Sequence, residues 1–103
     1  MKRVYLDNAA TTPLLPEVTE AMIQSMTNTF GNPSSTHTFG RGAKAVIENA
    51  RKNIAKHLGC TTSELVFTSG GTEADNFILK NAVQHLGVEH IITSTLEHHA
   101  VLH

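Results

Sequence analysis

The residues most suited to binding or catalysis form a run of small and polar side chains, FTSGGTEAD, at positions 67–75. Two adjacent glycines let the backbone turn sharply and bring bare N–H groups close to a ligand. A helix predicted to begin near Thr72 adds unpaired N–H donors and the positive end of its dipole. The run therefore predicts an anion-binding turn, to which the Thr72 hydroxyl adds one donor.

A single phosphate group fits this turn better than a nucleotide does. A P-loop needs a lysine after its glycines and a dinucleotide fingerprint needs three spaced glycines, and positions 67–75 contain neither. We therefore expect a phosphate monoester. The alternative interpretation is a plain tight turn at Gly70 and Gly71 followed by an ordinary helix cap.

Histidines gather in the segment EHHAVLH, residues 97–103, directly after a predicted strand. Residues at the carboxyl ends of parallel strands face the ligand crevice of an α/β sheet, so we expect His98 beside the glycine turn. A histidine there can stack on a planar ring or move a proton. The alternatives are a zinc pair of His99 and His103, which lacks a third ligand, and an exposed polar cap. We expect no metal site.

Two more turns are rich in small residues, DNAATTP at 7–13 and GNPSSTH at 31–37. Composition alone favours a plain turn for each, although small residues also allow a ligand to approach closely. Cys60 lies beside a predicted helix end with no adjacent base, so we interpret it as a structural or incidental thiol.

Three helices are predicted to position these residues. One begins near Pro16, one runs from Thr38 to Leu58 and ends at Gly59, and one begins near Thr72 and stops at Gly87. The stripes expected to be buried are Val18, Met22 and Met26 in the first helix, Phe39, Ala43, Val46, Ala50, Ile54 and Leu58 in the second, and Ala74, Phe77, Ile78, Ala82 and Leu86 in the third.

Short apolar runs at residues 4–6, 65–67 and 90–93 predict strands. The last two flank the third helix and make a βαβ unit with a parallel pair. The expected fold class is α/β. Parallel sheets have several strands covered on both faces, so this sheet would be incomplete, with uncovered edges and poor stability on its own.

Composition excludes several functional classes. The 103 residues suit about one small domain, and 8 Lys and Arg against 9 Asp and Glu give a net charge of -1. We therefore expect neither nucleic-acid nor membrane partners. No apolar stretch is long enough to span a bilayer, and the N-terminus lacks a signal-peptide pattern. The single cysteine fits a reducing compartment, so we expect a cytoplasmic protein.

Four stretches in this order resemble the N-terminal portion of the cysteine desulfurases, members of the class V aminotransferase group of pyridoxal-phosphate enzymes. They are residues 5–12, 30–35, 67–76, and 91–94 with 97–102. The resemblance implies the leading part of a three-layer PLP-transferase fold (fold type I) with a mainly parallel sheet, incomplete in this chain. Residues 1–15 would belong to the small domain and residues 16–103 to the first part of the large PLP-binding domain.

The same resemblance assigns roles to particular residues. Gly71 and Thr72 would hold the phosphate of pyridoxal 5′-phosphate through their N–H groups and the hydroxyl. His98 would stack on the pyridine ring and is the candidate for proton transfers. The residues implied near the substrate are Asn8, Ala9 and Ala10.

The implied reaction takes sulfur from L-cysteine, giving L-alanine and a persulfide on an enzyme cysteine, for iron–sulfur cluster assembly and tRNA thiolation. The implied partners are a second identical subunit and iron–sulfur scaffold or sulfur-acceptor proteins. Alternatives within the group are a selenocysteine lyase and an aminotransferase. A non-catalytic phosphate-binding or interaction remnant is the alternative outside it.

The chain also departs from the family pattern. The Schiff-base lysine follows a Ser/Thr-x-His pattern, which none of the chain's lysines does, and Cys60 does not match the position of the persulfide cysteine. The family's pyridine-binding Asp and substrate-binding Arg also lie downstream. We therefore expect this chain to be the leading piece of a longer enzyme and inactive by itself. The lysines are Lys2, Lys44, Lys52, Lys56 and Lys80.

Overall fold

The computed structural model describes residues 2–102, in which all regular secondary structure is helical. The chain divides into two compact units, residues 1–62 and residues 63–103, and each is described by itself. The elements in chain order are α1 (Pro16–Asn28), α2 (Thr38–Leu58), a 3-10 turn (Thr62–Glu64), α3 (Gly71–His85) and α4 (His99–Leu102).

The first unit contains α1 and α2, and the sequence predicted both helices. Proline occupies the first turn of α1, where its fixed φ suits a helix start and its missing N–H costs nothing. α2 begins and ends at the predicted residues. The His37 Nδ1 caps it by accepting a hydrogen bond from the Gly40 N–H at 3.3 Å. Gly59 ends it in the left-handed region, with φ 68°.

The loop before α2 packs tightly against the helix start. A Cβ built on Gly40 would lie 2.6 Å from the Asn32 carbonyl oxygen and 2.7 Å from the Ser35 Cβ, closer than real Cβ contacts allow. Phe30 and Phe39 stack across the loop with ring centroids 5.5 Å apart. The GNPSSTH turn is thus a packed structural loop. Only glycine fits at Gly31 and Gly40, because backbone atoms approach both positions closely.

The second unit contains α3 and α4, which pack against each other. α3 begins one residue before the predicted start, and Gly87, with φ 67°, follows its end as predicted. α4 was not predicted, because residues 99–102 show no apolar period in the given sequence. Ala100 of α4 is buried, at 5% exposure.

The three predicted strands, residues 4–6, 65–67 and 90–93, do not form among residues 2–102, and neither does the βαβ unit. A strand exists only within a hydrogen-bonded ladder, and parallel strands need several neighbours covered on both faces. No second strand lies beside any of these segments in the described chain. Ile92 illustrates the result, since its side chain is fully exposed.

Most of the predicted burial is also wrong. In the stripes of α1, α2 and α3, Met26 is 68% exposed, Leu58 67% and Leu86 76%, and of all the stripe residues only Ala43 is buried. An apolar helix face is buried only where a second layer covers it. The sheet expected to provide that layer is not formed in the described residues.

No helix within residues 2–102 is long and apolar enough to cross a membrane.

Candidate functional site

The glycine turn of the second unit leads directly into α3 and is held by its own polar side chains. The Thr68 hydroxyl donates to the Gly70 carbonyl at 3.2 Å. Both the backbone N–H and the hydroxyl of Ser69 donate to the Glu73 carboxylate, each at 2.7 Å. These three bonds fix the path of the backbone over residues 68–70 before the helix starts.

The start of α3 presents amide donors without acceptors. The first intrahelical bond runs from the Ala74 N–H to the Gly70 carbonyl at 3.1 Å, and no side chain caps the helix. Among residues 2–102, the N–H groups of Gly71 and Thr72 therefore have no hydrogen-bond partner in the protein. Unpaired amides and the helix dipole together favour an anion at this point.

Neither glycine of the turn is required by the protein's own structure. Gly70 is extended, with φ 167° and ψ 179°, which any residue adopts, and Gly71 is the first residue of a helix. A Cβ built on either one meets no atom within 4 Å. Gly40 differs, because there backbone and side-chain atoms fill the space. The glycines at 70 and 71 leave open space beside the unpaired amides, which is what a bound anion requires.

Glu73 contributes negative charge near the same turn. Hydrogen bonds from the Ser69 hydroxyl first, and from the Ser69 amide second, lower the pKa of the Glu73 carboxyl below its usual range. The group is fully exposed, so burial opposes this shift only weakly. At neutral pH the carboxylate is ionised, and it anchors Ser69 rather than covering the amides of Gly71 and Thr72.

α4 is tied to α3 by the side chain of Asn76. Its Nδ2 donates to the Thr72 carbonyl at 3.0 Å and to the Ala100 carbonyl at 3.1 Å. The Ala100 N–H donates in turn to the His98 Nδ1 at 3.1 Å. A continuous run of bonds thus connects the first turn of α3 with the residue that caps α4, and the structure brings the two predicted parts of the site into one neighbourhood.

The cap on α4 also determines which nitrogen of His98 is available. Because Nδ1 accepts the Ala100 N–H, the neutral ring carries its hydrogen on Nε2. The His98 carbonyl accepts from the Val101 N–H at 2.9 Å, so the backbone of the residue is held as well. His98 is exposed, and its Nε2–H is the ring group able to donate a hydrogen bond to a ligand.

The remaining candidates lie elsewhere. Residues 8–10 form a turn in the first unit, as predicted, closed by a bond from the Ala10 N–H to the Asp7 carbonyl at 3.1 Å. The Tyr5 hydroxyl donates to that carbonyl at 2.8 Å. Cys60 is a free, partly exposed thiol. No group of three potential metal ligands exists within residues 2–102, and His103 of the zinc alternative lies outside the described residues.

Sequence reasoning assigned no role to Glu73, which binds Ser69 before α3, or to Asn76, which joins α3 to α4. Glu73 follows Ser69 by four residues, whereas a capping box pairs Ser or Thr with Glu or Gln three residues later, so that signal does not mark this bond. For Asn76 no local signal exists, since its partner Ala100 lies 24 residues away.

Comparison with known proteins matches residues 4–103 to the family described as Aminotransferase class-V. The chain is 55% identical over 105 residues to "Cysteine desulfurase IscS" of Dictyoglomus turgidum, covering 99% of this chain and 27% of that protein. The "Cysteine desulfurase IscS" of Methanosarcina thermophila is 53% identical over 105 residues, covering 99% and 26%. "Selenocysteine lyase" of Bos taurus is 40% identical over 119 residues, covering 97% and 27%. The chain thus spans about a quarter of the length of these relatives.

Proposed function

Because the chain belongs to the aminotransferase class-V family, we propose that it supplies the phosphate-binding part of a pyridoxal-phosphate-dependent cysteine desulfurase. The whole protein would convert L-cysteine to L-alanine and transfer the sulfur atom to an enzyme thiol as a persulfide. The observation that carries the proposal is the whole-chain similarity to two proteins named cysteine desulfurase. The open amides at the start of α3 agree with it.

The residues present suit the phosphate end of pyridoxal phosphate. Within residues 2–102 the N–H groups of Gly71 and Thr72 have no protein acceptor, and Thr72, which carries a hydroxyl, is exposed. Three donors around open space suit the oxygens of one phosphate monoester. When bound, the cofactor would supply an electron sink for chemistry at the substrate's carbon atoms.

The proposal gives His98 and the 8–10 turn specific tasks. His98 would lie against the planar ring and donate a hydrogen bond from Nε2, because its Nδ1 accepts from the Ala100 N–H. For the proton transfers that the resemblance assigns to His98, Nδ1 would have to release the Ala100 N–H and accept the proton. Asn8, Ala9 and Ala10 would lie near the substrate, where short side chains leave room. Both roles come from the family resemblance and are proposed for this chain.

The remaining parts of the proposal concern the whole protein. It would have the α/β three-layer fold with a mainly parallel sheet, residues 1–15 in a small domain and residues 16–103 in the large PLP-binding domain. It would act as a cytoplasmic homodimer that passes sulfur to iron–sulfur scaffold or other acceptor proteins. A strand from elsewhere in the protein beside residues 65–67 and 90–93 would provide the missing ladder.

The decisive experiment is to assay the intact gene product with pyridoxal phosphate and L-cysteine. We expect saturable binding of the cofactor and L-alanine in a one-to-one ratio with the sulfur released by a thiol reductant. Failure to bind pyridoxal phosphate would refute the proposal. Binding without L-alanine formation would instead identify a non-catalytic phosphate-binding protein.

A selenocysteine lyase is the second candidate, favoured by the similarity to the bovine enzyme. The same assay with L-selenocysteine distinguishes the two functions. A desulfurase releases alanine readily from L-cysteine, whereas activity confined to L-selenocysteine would select the lyase.

A further inference from the structure

Asn76 makes a side-chain contact that its helix alone does not explain. Its bond to the Thr72 carbonyl, at 3.0 Å, is a local bond to the residue four positions earlier. Asn81 makes the same local bond in α3, to the Phe77 carbonyl at 2.7 Å. Only Asn76 adds a second bond, to the Ala100 carbonyl at 3.1 Å. A primary amide has two N–H donors, so it can make both at once.

This second bond joins α4 to α3. The two helices pack against each other, and Ala100 of α4 is buried, at 5% exposure. The backbone carbonyl of a buried residue needs a hydrogen-bond partner. The Asn76 amide donates to the Ala100 carbonyl at 3.1 Å.

Holding Ala100 also holds His98. The Ala100 N–H bonds to the His98 Nδ1, and the Val101 and Leu102 N–H groups bond to the His98 carbonyl at 2.9 and 3.3 Å. Displacement of Ala100 would break the first of these bonds and release the imidazole. The ring orientation therefore depends on the Asn76 amide through one intervening residue.

We propose that Asn76 is a positioning residue that holds the His98 imidazole at a set place relative to the first turn of α3. The inference depends on the proposed function only for the identity of the ligand that lies between them. Asn76 itself touches neither cofactor nor substrate in this proposal, and it acts through Ala100.

Three substitutions in the intact gene product separate this role from a general effect on the helix. Asn76→Ala removes both bonds, and since alanine is the better helix former, a residue important only to the helix would be neutral or stabilising here. Asn76→Asp keeps the shape of the side chain but replaces its N–H donors with carboxylate oxygens. These cannot donate to the Thr72 and Ala100 carbonyl oxygens. Asn81→Ala is the matched control, because it removes only a local bond of the same kind.

The first readout is amide hydrogen exchange, which needs no cofactor. We expect the amides of Val101 and Leu102 to exchange at least several-fold faster in Asn76→Ala and in Asn76→Asp, and at the wild-type rate in Asn81→Ala. If Asn76→Ala does not fold, the isosteric Asn76→Asp decides the comparison. Equal exchange in wild type and in the folded Asn76 variants overturns the inference.

The second readout is ligand affinity, measured with pyridoxal phosphate and with inorganic phosphate. Loss of one hydrogen bond corresponds to about a 2- to 12-fold change, so we expect Asn76→Ala to raise the Kd for pyridoxal phosphate by that factor. The Kd for inorganic phosphate should stay unchanged, because the amides of Gly71 and Thr72 remain in place. A wild-type protein that binds no pyridoxal phosphate refutes the proposed function, and the exchange comparison still decides the role of Asn76.

Discussion

Replacement of Gly71 by alanine tests whether the space at the start of α3 is kept for a ligand. The added Cβ meets no atom within 4 Å, and helical backbone geometry suits alanine. The protein alone therefore gives no reason for glycine at this position. A phosphate seated on the amides of Gly71 and Thr72 would give one, because its oxygens must approach the backbone closely.

The geometry predicts that Gly71→Ala raises the free energy of unfolding but weakens the binding of pyridoxal phosphate. Gly→Ala at a compatible position stabilises a protein by about 0.4–1 kcal/mol, chiefly by restricting the unfolded chain. Displacing the phosphate from one amide removes a hydrogen bond to a charged group, which contributes about 1.5–3 kcal/mol. At about 1.4 kcal/mol per factor of ten, the Kd for pyridoxal phosphate should rise roughly 10- to 150-fold.

Calorimetric titration of the intact gene product measures the binding change, and thermal unfolding without ligand measures the stability change. Pyridoxal, which lacks the phosphate, is the ligand control, and its weaker binding should be the same in wild type and Gly71→Ala. Gly42→Ala is the protein control, since its Cβ also meets no atom within 4 Å and it lies in α2. It should raise stability without changing either affinity.

Two results would refute the reasoning. If Gly71→Ala binds pyridoxal phosphate as tightly as wild type, the space beside Gly71 does not hold the phosphate. If the substitution lowers stability in the absence of ligand, glycine at 71 has a structural role that the geometry of α3 does not reveal.

Three further predictions concern the stability of the chain. Gly40→Ala should lower the free energy of unfolding by about 1–3 kcal/mol through overpacking, whereas Gly42→Ala should raise it by about 0.5–1 kcal/mol; urea denaturation of both variants of the intact gene product checks both signs. The pKa of Glu73 is lowered by its bonds from Ser69, so its stabilising effect should be full above the ordinary glutamate pKa of about 4.3 and be lost as pH falls below it. Urea denaturation of the intact gene product between pH 3 and 6 should show a smaller pH dependence in Glu73→Gln than in wild type. The 103-residue chain alone should self-associate and unfold without a cooperative transition, because its apolar helix faces are exposed; a monomer by ultracentrifugation with a sharp thermal transition would contradict this.

Local sequence signals predicted α2 completely and α1 and α3 closely. Pro16 suits a helix start, and Gly59 and Gly87 take the positive φ that follows a helix end. Such signals operate within a turn or two of backbone. The glycine turn at 70–71 was predicted in the same way, from residue types whose effect is local.

Predictions that depended on residues far apart in the sequence were wrong for the described residues, and contacts between such residues were not predicted. The apolar runs at 65–67 and 90–93 have the composition of strands, but no ladder forms around them in residues 2–102. The apolar residues of α1 to α3 recur with helical periodicity. Their burial requires a second layer of secondary structure, which amino-acid composition does not predict. α4 and its bond to Asn76 depend on residues 24 positions apart.

The sequence by itself therefore determined where α1, α2 and α3 begin and end to within a residue or two, and that a glycine turn precedes α3. Capping, proline geometry and glycine freedom are local properties of the backbone, so they can be predicted from neighbouring residues. Only the tertiary structure decided that Asn76 joins α3 to α4 and that His98 uses Nδ1 as a cap, which leaves Nε2 for a ligand. Those facts depend on which groups meet in space, because the carbonyl of a buried residue needs a partner that can come from elsewhere in the chain.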